Sequence, residues 1–489
     1  MTPKDTLKRY FGYDSFRPFQ LEIIKSLLQG RDTLALLPTG GGKSICFQVP
    51  GLLLGGTTIV ISPLISLMKD QVDDLNNRGI SATYINSSLS KTEITERMTK
   101  LRQGSWQFIY VAPERLLTTD FGAACTLIQI PLLVIDEAHC ISQWGHDFRP
   151  EYCQIAQFYT RLSNRPVIGA FTATATPKVK PDICSSLQLN APVTLASSFK
   201  RSNIWLETVV RSSYQSKILT LLYLLKSTNQ SGVIIYAQTR ETVETLTLVI
   251  KHYLPYLSVG YYHAGLPPVA RAAIQSDFLK SEISILVATN AFGMGINKPD
   301  VRSVFHFSLP LSLEQFYQEL GRAGRDGQAA QAYLIWQPSD IQLSISLITG
   351  GEAAGTSSNQ LRHQQKLLRE MAAYAINHTV CQNHLILKYF GELPAQSCTQ
   401  CAVCQGKKAV PSRADLQLFN DLKMFRNQLA RKYHEKPGRV ATNSILNWLT
   451  LLQPVKAEHY LTIPGVGVGW TRQWAQHFSQ FFIQRTSSP

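Results

Sequence analysis

Short apolar runs separated by amphipathic stretches fill the chain to about residue 340. TLALLP, TTIVISP, FIYVAP, LLVID and VIGAFTAT each end at a small or polar turn, the signature of buried parallel strands. A second series follows in GVIIYAQ, VGYYHAG, ISILVATN, SVFHFSLP and AAQAYLIW. Two successive series of strand–helix units predict two α/β domains whose working loops lie at the carboxyl ends of the strands. The first series stops and the second begins around Ser197–Asn203. Beyond residue 340 the strand pattern ceases. A small-residue segment, GGEAAGTSSNQ (350–360), leads into a helical, cysteine-bearing stretch, and a further helical block covers roughly 412–485. The expected division is 1–200, 201–340, 341–410 and 411–489.

Composition narrows the class. With 489 residues, 44% apolar and 10% aromatic, the chain is globular and multidomain. No run of 18 apolar residues suggests a membrane span, and the N-terminal stretch lacks the apolar centre of a secretory signal. A cytosolic or DNA-associated setting is expected, nucleoid-bound or, in a eukaryote, nuclear. The net charge of +15 fits either a soluble basic protein or an electrostatic footprint for nucleic acid. Five cysteines stand singly, whereas Cys381, Cys398, Cys401 and Cys404 cluster at metal-ligand spacing.

The chemistry starts at LLPTGGGKS (36–44). Thr39, Gly40, Gly41 and Gly42 let the backbone curl its N–H groups around phosphates, Lys43 reaches the terminal phosphates and Ser44 ligates Mg²⁺. The strict GxxxxGK[ST] pattern is not met, because its first glycine falls at Leu37. Upstream, Tyr13 and Arg17 could sandwich an adenine ring whose edge Gln20 reads as donor and acceptor. Asp136 and Glu137 follow a buried strand, as suits a Mg²⁺ ligand and a neighbour that activates water. The loop after them carries His139, Trp144, Phe148 and Arg149. Its aromatics can stack on unpaired bases, and Arg149 can hold a phosphate or reach back toward the nucleotide. His139 stands between the two chemistries. In QELGRAGRDG, Arg322 and Arg325 are expected one turn apart at a helix start, facing a phosphate across a cleft.

Together these segments resemble a superfamily-2 helicase motor, and specifically the RecQ family of DNA helicases. The likeness rests on FGYDSFRPFQ, LLPTGGGKS, ISPLISLMKDQ, YVAPERL, DEAHCISQWGHDFRPEY, FTATAT, YHAG, VATNAFGMGINKPDVR and QELGRAGRDG. It implies two tandem RecA-like domains, ATP with Mg²⁺ as cofactor and DNA as partner. Single-strand-binding and recombination proteins are implied as further partners, and movement 3′ to 5′ as the polarity. It also implies that Gln318, Arg322 and Arg325 complete the ATP site, and that Ser62, Thr172, Thr174, Thr289 and Asn290 line the DNA track or the cleft.

MAAYAINHTVC with LKYFGELPAQSCTQCAVC resembles the family's helical zinc module, four thiolates closing a tetrahedral Zn²⁺ shell, with His378 and His384 as alternative ligands. The last block resembles a divergent helicase-and-RNase-D C-terminal domain. From Ser412 it carries ten Lys or Arg against four Asp or Glu, a net +6. Its IPGVGVG is either a phosphate-binding hairpin or a helix–helix turn.

Two departures stand out. The family's winged helix has no room, since only QGKKAVP (405–411) separates the last two regions. Gln382 and Asn383 stand where the family carries positive charge. Efficient duplex opening is therefore less expected than translocation. A single-strand-stimulated ATPase or annealing factor, an RNA helicase, and a scaffold switched by nucleotide are the alternatives.

Overall fold

The computed structural model describes residues 1–486 except 146, 212, 229–231, 294–297, 350–357, 378, 395–396, 407–412, 455–459, 461–462 and 464–465. His378 and parts of the GMGIN, QGKKAVP and IPGVGVG segments lie outside the described residues.

Seven strands form the first sheet: β1 (Thr33–Leu36), β2 (Thr58–Ile61), β3 (Ala82–Ile85), β4 (Phe108–Val111), β5 (Leu132–Ile135), β6 (Val167–Thr172) and β7 (Val193–Ala196). Their order is β3-β4-β2-β5-β6-β1-β7, and every pairing is parallel. Six strands form the second: β8 (Ile204–Val210), β9 (Val233–Tyr236), β10 (Val259–Tyr262), β11 (Ile285–Ala288), β12 (Ser303–His306) and β13 (Ala330–Trp336), ordered β10-β11-β9-β12-β13-β8. Parallel neighbours require crossover helices, and these cover both faces. That is why the central strands read as unbroken apolar runs.

Each apolar run read from the sequence is a strand. Three further strands, β3, β7 and β8, were not legible, and all three lie at sheet edges. An edge strand meets solvent on one flank, so ATYI, VTLA and IWLETVV mix polar and apolar positions.

The edge presented by β8 is covered by the cysteine-bearing region. Leu206 N–H donates to the Gln400 carbonyl at 2.9 Å, and Leu206 bridges Cys401 in parallel register. This region contains helices Ser358–Ile376, Gln382–Tyr389 and Ala402–Gln405. Gln382 is buried and bonded to Thr208 of the same strand, so the position that lacks positive charge serves the docking of the module. The next described helix, Arg413–Lys432, begins eight positions beyond Gln405. It packs with Asn443–Leu452 and Val468–Thr486 into a helical bundle seated on the helix Tyr214–Ser227 of the second domain.

Candidate nucleotide and nucleic-acid site

The phosphate loop leaves β1 and enters the helix Lys43–Leu54. Gly40 and Gly42 have φ of +80° and +77°, a region costly for any side chain. Lys43 Nζ lies 3.1 Å from Glu137 Oε1. Burial opposes the lysine's charge, but Glu137 and Asp136 beside it prevail and hold its pKa up. Asp136 is pushed up to about 6 by burial and then by Glu137, with Lys43 acting against both. Two adjacent half-buried carboxylates, one of them paired with Lys43, suit Asp136 and Ser44 as holders of Mg²⁺. Glu137 sits at φ +47°, a left-handed conformation that a non-glycine residue keeps only where its surroundings enforce it.

From Glu137 a polar chain crosses to the second domain. His139, only 1% exposed, has Nδ1 3.4 Å from Glu137 Oε2 and 2.8 Å from Thr172 Oγ1. Thr172 Oγ1 accepts from Thr174 N–H at 3.1 Å, and Thr174 Oγ1 accepts from Gln318 Nε2 at 3.2 Å. The acid pair is thereby connected to the segment that carries the arginines.

Those arginines are not at a helix start. The helix Leu313–Leu320 ends before Gly321, and Arg322 and Arg325 occupy the turn that follows it. Gly324 and Gly327 adopt φ of +56° and +84° there, which a continuing helix could not accommodate. Arg322 is buried, and a β-carbon placed on Gly40 would lie 3.1 Å from Arg325 Cγ, so Arg325 rests against the phosphate loop. Burial, with Arg322 and Arg201 beside it, lowers Arg325 to about 9, which leaves it charged at neutral pH.

The three residues expected at the adenine differ in exposure and contacts. Tyr13 is 57% exposed, whereas Arg17 Nη1 donates to the Gly40 carbonyl. Gln20 is buried under the loop. Its Oε1 accepts from Arg17 N–H at 2.8 Å, and its Nε2 donates to the Gly42 carbonyl at 3.1 Å. Arg17 and Gln20 thus shape the phosphate loop from beneath, and both ends of the Gln20 amide are engaged.

In the loop after the acid pair, Trp144 is 54% exposed and Phe148 is half-buried. Trp144 meets His363 edge-to-face at 5.7 Å, and His363 Nε2 lies 3.1 Å from the Trp144 carbonyl. Arg149 is spent locally. It pairs with Asp147 at 3.2 Å and donates to the Pro63 carbonyl at 3.1 Å. Ser62 and Thr289 are buried just past the ends of β2 and β11. Asn290 is exposed and lines a cavity of about 330 Å³ with Asp147, Gln318 and Arg322.

The sulfur atoms of Cys381, Cys398, Cys401 and Cys404 all lie within 4.8 Å of one another. His384 N–H donates to Cys381 Sγ at 3.4 Å, Asn383 Nδ2 to Cys398 Sγ at 3.3 Å and Cys398 N–H to Cys404 Sγ at 3.3 Å. Donors aimed at sulfur favour thiolate, the form that ligates zinc, so the four residues fit a closed zinc shell.

Comparison with known proteins agrees. Residues 17–181 match the DEAD/DEAH box helicase family, 216–327 the helicase conserved C-terminal domain and 338–405 the RecQ zinc-binding family. The chain is 44% identical over 405 residues to the ATP-dependent DNA helicase RecQ of Bacillus subtilis (strain 168), spanning 82% of this chain and 67% of that protein. It is 40% identical over 403 residues to the protein of the same name from Pasteurella multocida (strain Pm70), spanning 82% of this chain and 62% of that one. A similar fold occurs in the Mycobacterium smegmatis helicase Lhr bound to ssDNA and AMP-PNP, at 18% identity and a TM-score of 0.57, over 71% of this chain and 49% of that one. The paired parallel sheets, the acid pair facing the arginine turn and the four-cysteine module therefore meet in one conclusion: the chain belongs to the RecQ family of ATP-dependent DNA helicases.

Proposed function

We propose that this chain hydrolyses ATP to move 3′ to 5′ along single-stranded DNA and to separate strands during repair or recombination. One observation carries the reading. Lys43 and Glu137 on the first domain face Arg325 on the second, and the phosphate loop lies between them. On nucleotide binding Lys43 exchanges Glu137 for the terminal phosphates, which releases that carboxylate to accept a proton from the attacking water. Ser44 and Asp136 would hold Mg²⁺, which would supply charge neutralisation on the phosphates. Arg322 and Arg325 stabilise the charge that develops in transfer. Tyr13, with its ring exposed, stacks on the base, while Arg17 and Gln20 hold the loop's shape.

DNA sensing falls to Trp144 and Phe148. A stacked base displaces the edge contact of His363 on Trp144, and the loop transmits this to Glu137 through His139. The basic C-terminal bundle adds phosphate contacts as a helicase-and-RNase-D C-terminal domain. A strand-displacement assay on 3′-tailed and 5′-tailed duplexes tests the proposal, with unwinding expected on the 3′ tail only. Unwinding from the 5′ tail refutes the polarity, and ATPase stimulated more by RNA than by DNA refutes the substrate.

A second reading, a single-strand-stimulated translocase or annealing factor with weak unwinding, is favoured by the seven residues between Gln405 and Arg413. Stimulated ATPase without displacement on any tail selects it.

A further inference from the structure

We propose that Arg201, in the segment joining the two sheets, is the positioning residue that sets the phosphate loop of the first domain against the arginine turn of the second. The inference rests on the nucleotide site proposed above. Arg201 Nη1 donates to the Thr39 carbonyl and to the Gly321 carbonyl, each at 3.1 Å. Its Nη2 donates to Ala323 and Gly324 carbonyls at 2.9 and 3.3 Å. One guanidinium therefore addresses one carbonyl of the phosphate loop and three of the turn that carries Arg322 and Arg325.

The chemistry requires an arginine. A planar fork presents parallel N–H groups to several acceptors in fixed directions, which the single ammonium of lysine cannot do. Among the described residues its acceptors are neutral carbonyls, and burial lowers its pKa, so the charge is kept there at a cost.

The surroundings hold it in register. Two positions on, Asn203 Nδ2 donates to the Gly324 and Gln328 carbonyls, both at 2.8 Å, so the same segment grips the turn twice. Two positions before, the Phe199 carbonyl accepts from Tyr317 at 2.8 Å, and the Phe199 ring stacks on Phe390 of the zinc module at 4.6 Å. Across the gap that Arg201 spans, a β-carbon on Gly321 would meet Thr39 Cβ at 3.3 Å. The two loops are thus nearly in contact, and Arg201 fixes their separation. Arg325 reaches Gly40 from that frame.

A displacement of about 1 Å at reacting groups costs on the order of 100-fold in rate. Full-length Arg201→Ala and Arg201→Lys should each lose roughly that factor in DNA-stimulated kcat. The Kd of a fluorescent ADP analogue should stay within about threefold, since only one of the four contacts is to the phosphate loop. Lysine should not rescue. Zinc content and Tm report folding, and the charge-preserving Arg201→Lys keeps the test open if the alanine variant does not fold. A kcat within twofold of the parent in either variant overturns the proposal, as does a loss confined to nucleotide affinity. A parent chain that hydrolyses ATP beside a matching variant removes the positioning role alone, whereas a parent that hydrolyses none removes the nucleotide site with it.

Discussion

Among the described residues, the buried apolar clusters of the first sheet draw on elements of their own domain. One cluster holds Leu34, Ile59, Ile109, Leu133 and Ile168, and the other Ala35, Val60, Phe108, Val134 and Phe171. The second sheet is completed from outside. Val233 and Ile235 of β9 share a core with Leu422, Leu446, Trp474 and Phe478 of the C-terminal bundle. Ile234 and Tyr236 of the same strand face the other way and share theirs with Met371, Ile386, Phe390 and Cys401 of the zinc module. A period of two along one strand thus divides the second domain between two later regions of the chain.

The chemistry is divided as well. Turns at the carboxyl ends of the first sheet carry Lys43, Asp136 and Glu137. The turn after β9 instead passes through Gln238 to Thr239, which caps a helix. One architecture thus serves two jobs, and function lies in the grafted turns. The core beneath the acid pair comes from its own domain, whereas the core beneath the arginine turn is completed by later regions.

Stripping zinc should have the largest effect. Metal at such a site is worth about 10–16 kcal/mol to local folding. Cys401→Ala should lose the metal and, by hydrogen exchange, expose the amide of Leu206 and the β8 edge while β1 and β5 stay protected. Equal loosening of both sheets would break the comparison. Arg325→Ala comes next, with kcat for ATP reduced roughly 10³–10⁵-fold and ADP affinity retained. A comparable loss of ADP affinity would mean that the second domain binds nucleotide rather than acting on its transition state.

Lys217→Met sharpens the point inside the second domain. Lys217 Nζ lies 2.8 Å from Asp340 Oδ2, with both side chains buried, and burial lowers the lysine's pKa and raises the aspartate's. Leaving that carboxylate alone should cost about 3–5 kcal/mol in denaturant unfolding, confined to the second domain's transition. The smallest effect belongs to Trp144→Ala, expected to weaken single-stranded DNA binding by about 1–3 kcal/mol with unstimulated ATPase unchanged. Undiminished DNA binding would assign the exposed ring to His363 alone.

Legibility followed the range of the interactions. Strands buried on both faces announced themselves, because burial demands unbroken apolar residues. The glycines around Lys43 did so because curling a backbone around phosphate demands them. Three of the four edge strands escaped notice, and β8 needs the zinc module before its mixed sequence makes sense. Gln20 was readable as important but not as a brace under the phosphate loop, because its partners at Gly41 and Gly42 are set by folding. Arg201 gave no local signal at all, being one basic residue in SSFKRSN.

From its residues alone the chain declares two parallel-sheet domains, a phosphate loop, an acid pair and four clustered thiols, since each is dictated by neighbours within a few positions. Tertiary structure alone decided which carbonyls Arg201 joins, which face of β9 meets the zinc module and which the helical bundle, and that Arg325 rests on Gly40. Those contacts join residues far apart in the chain, and their partners are chosen by the packing of whole elements rather than by local pattern.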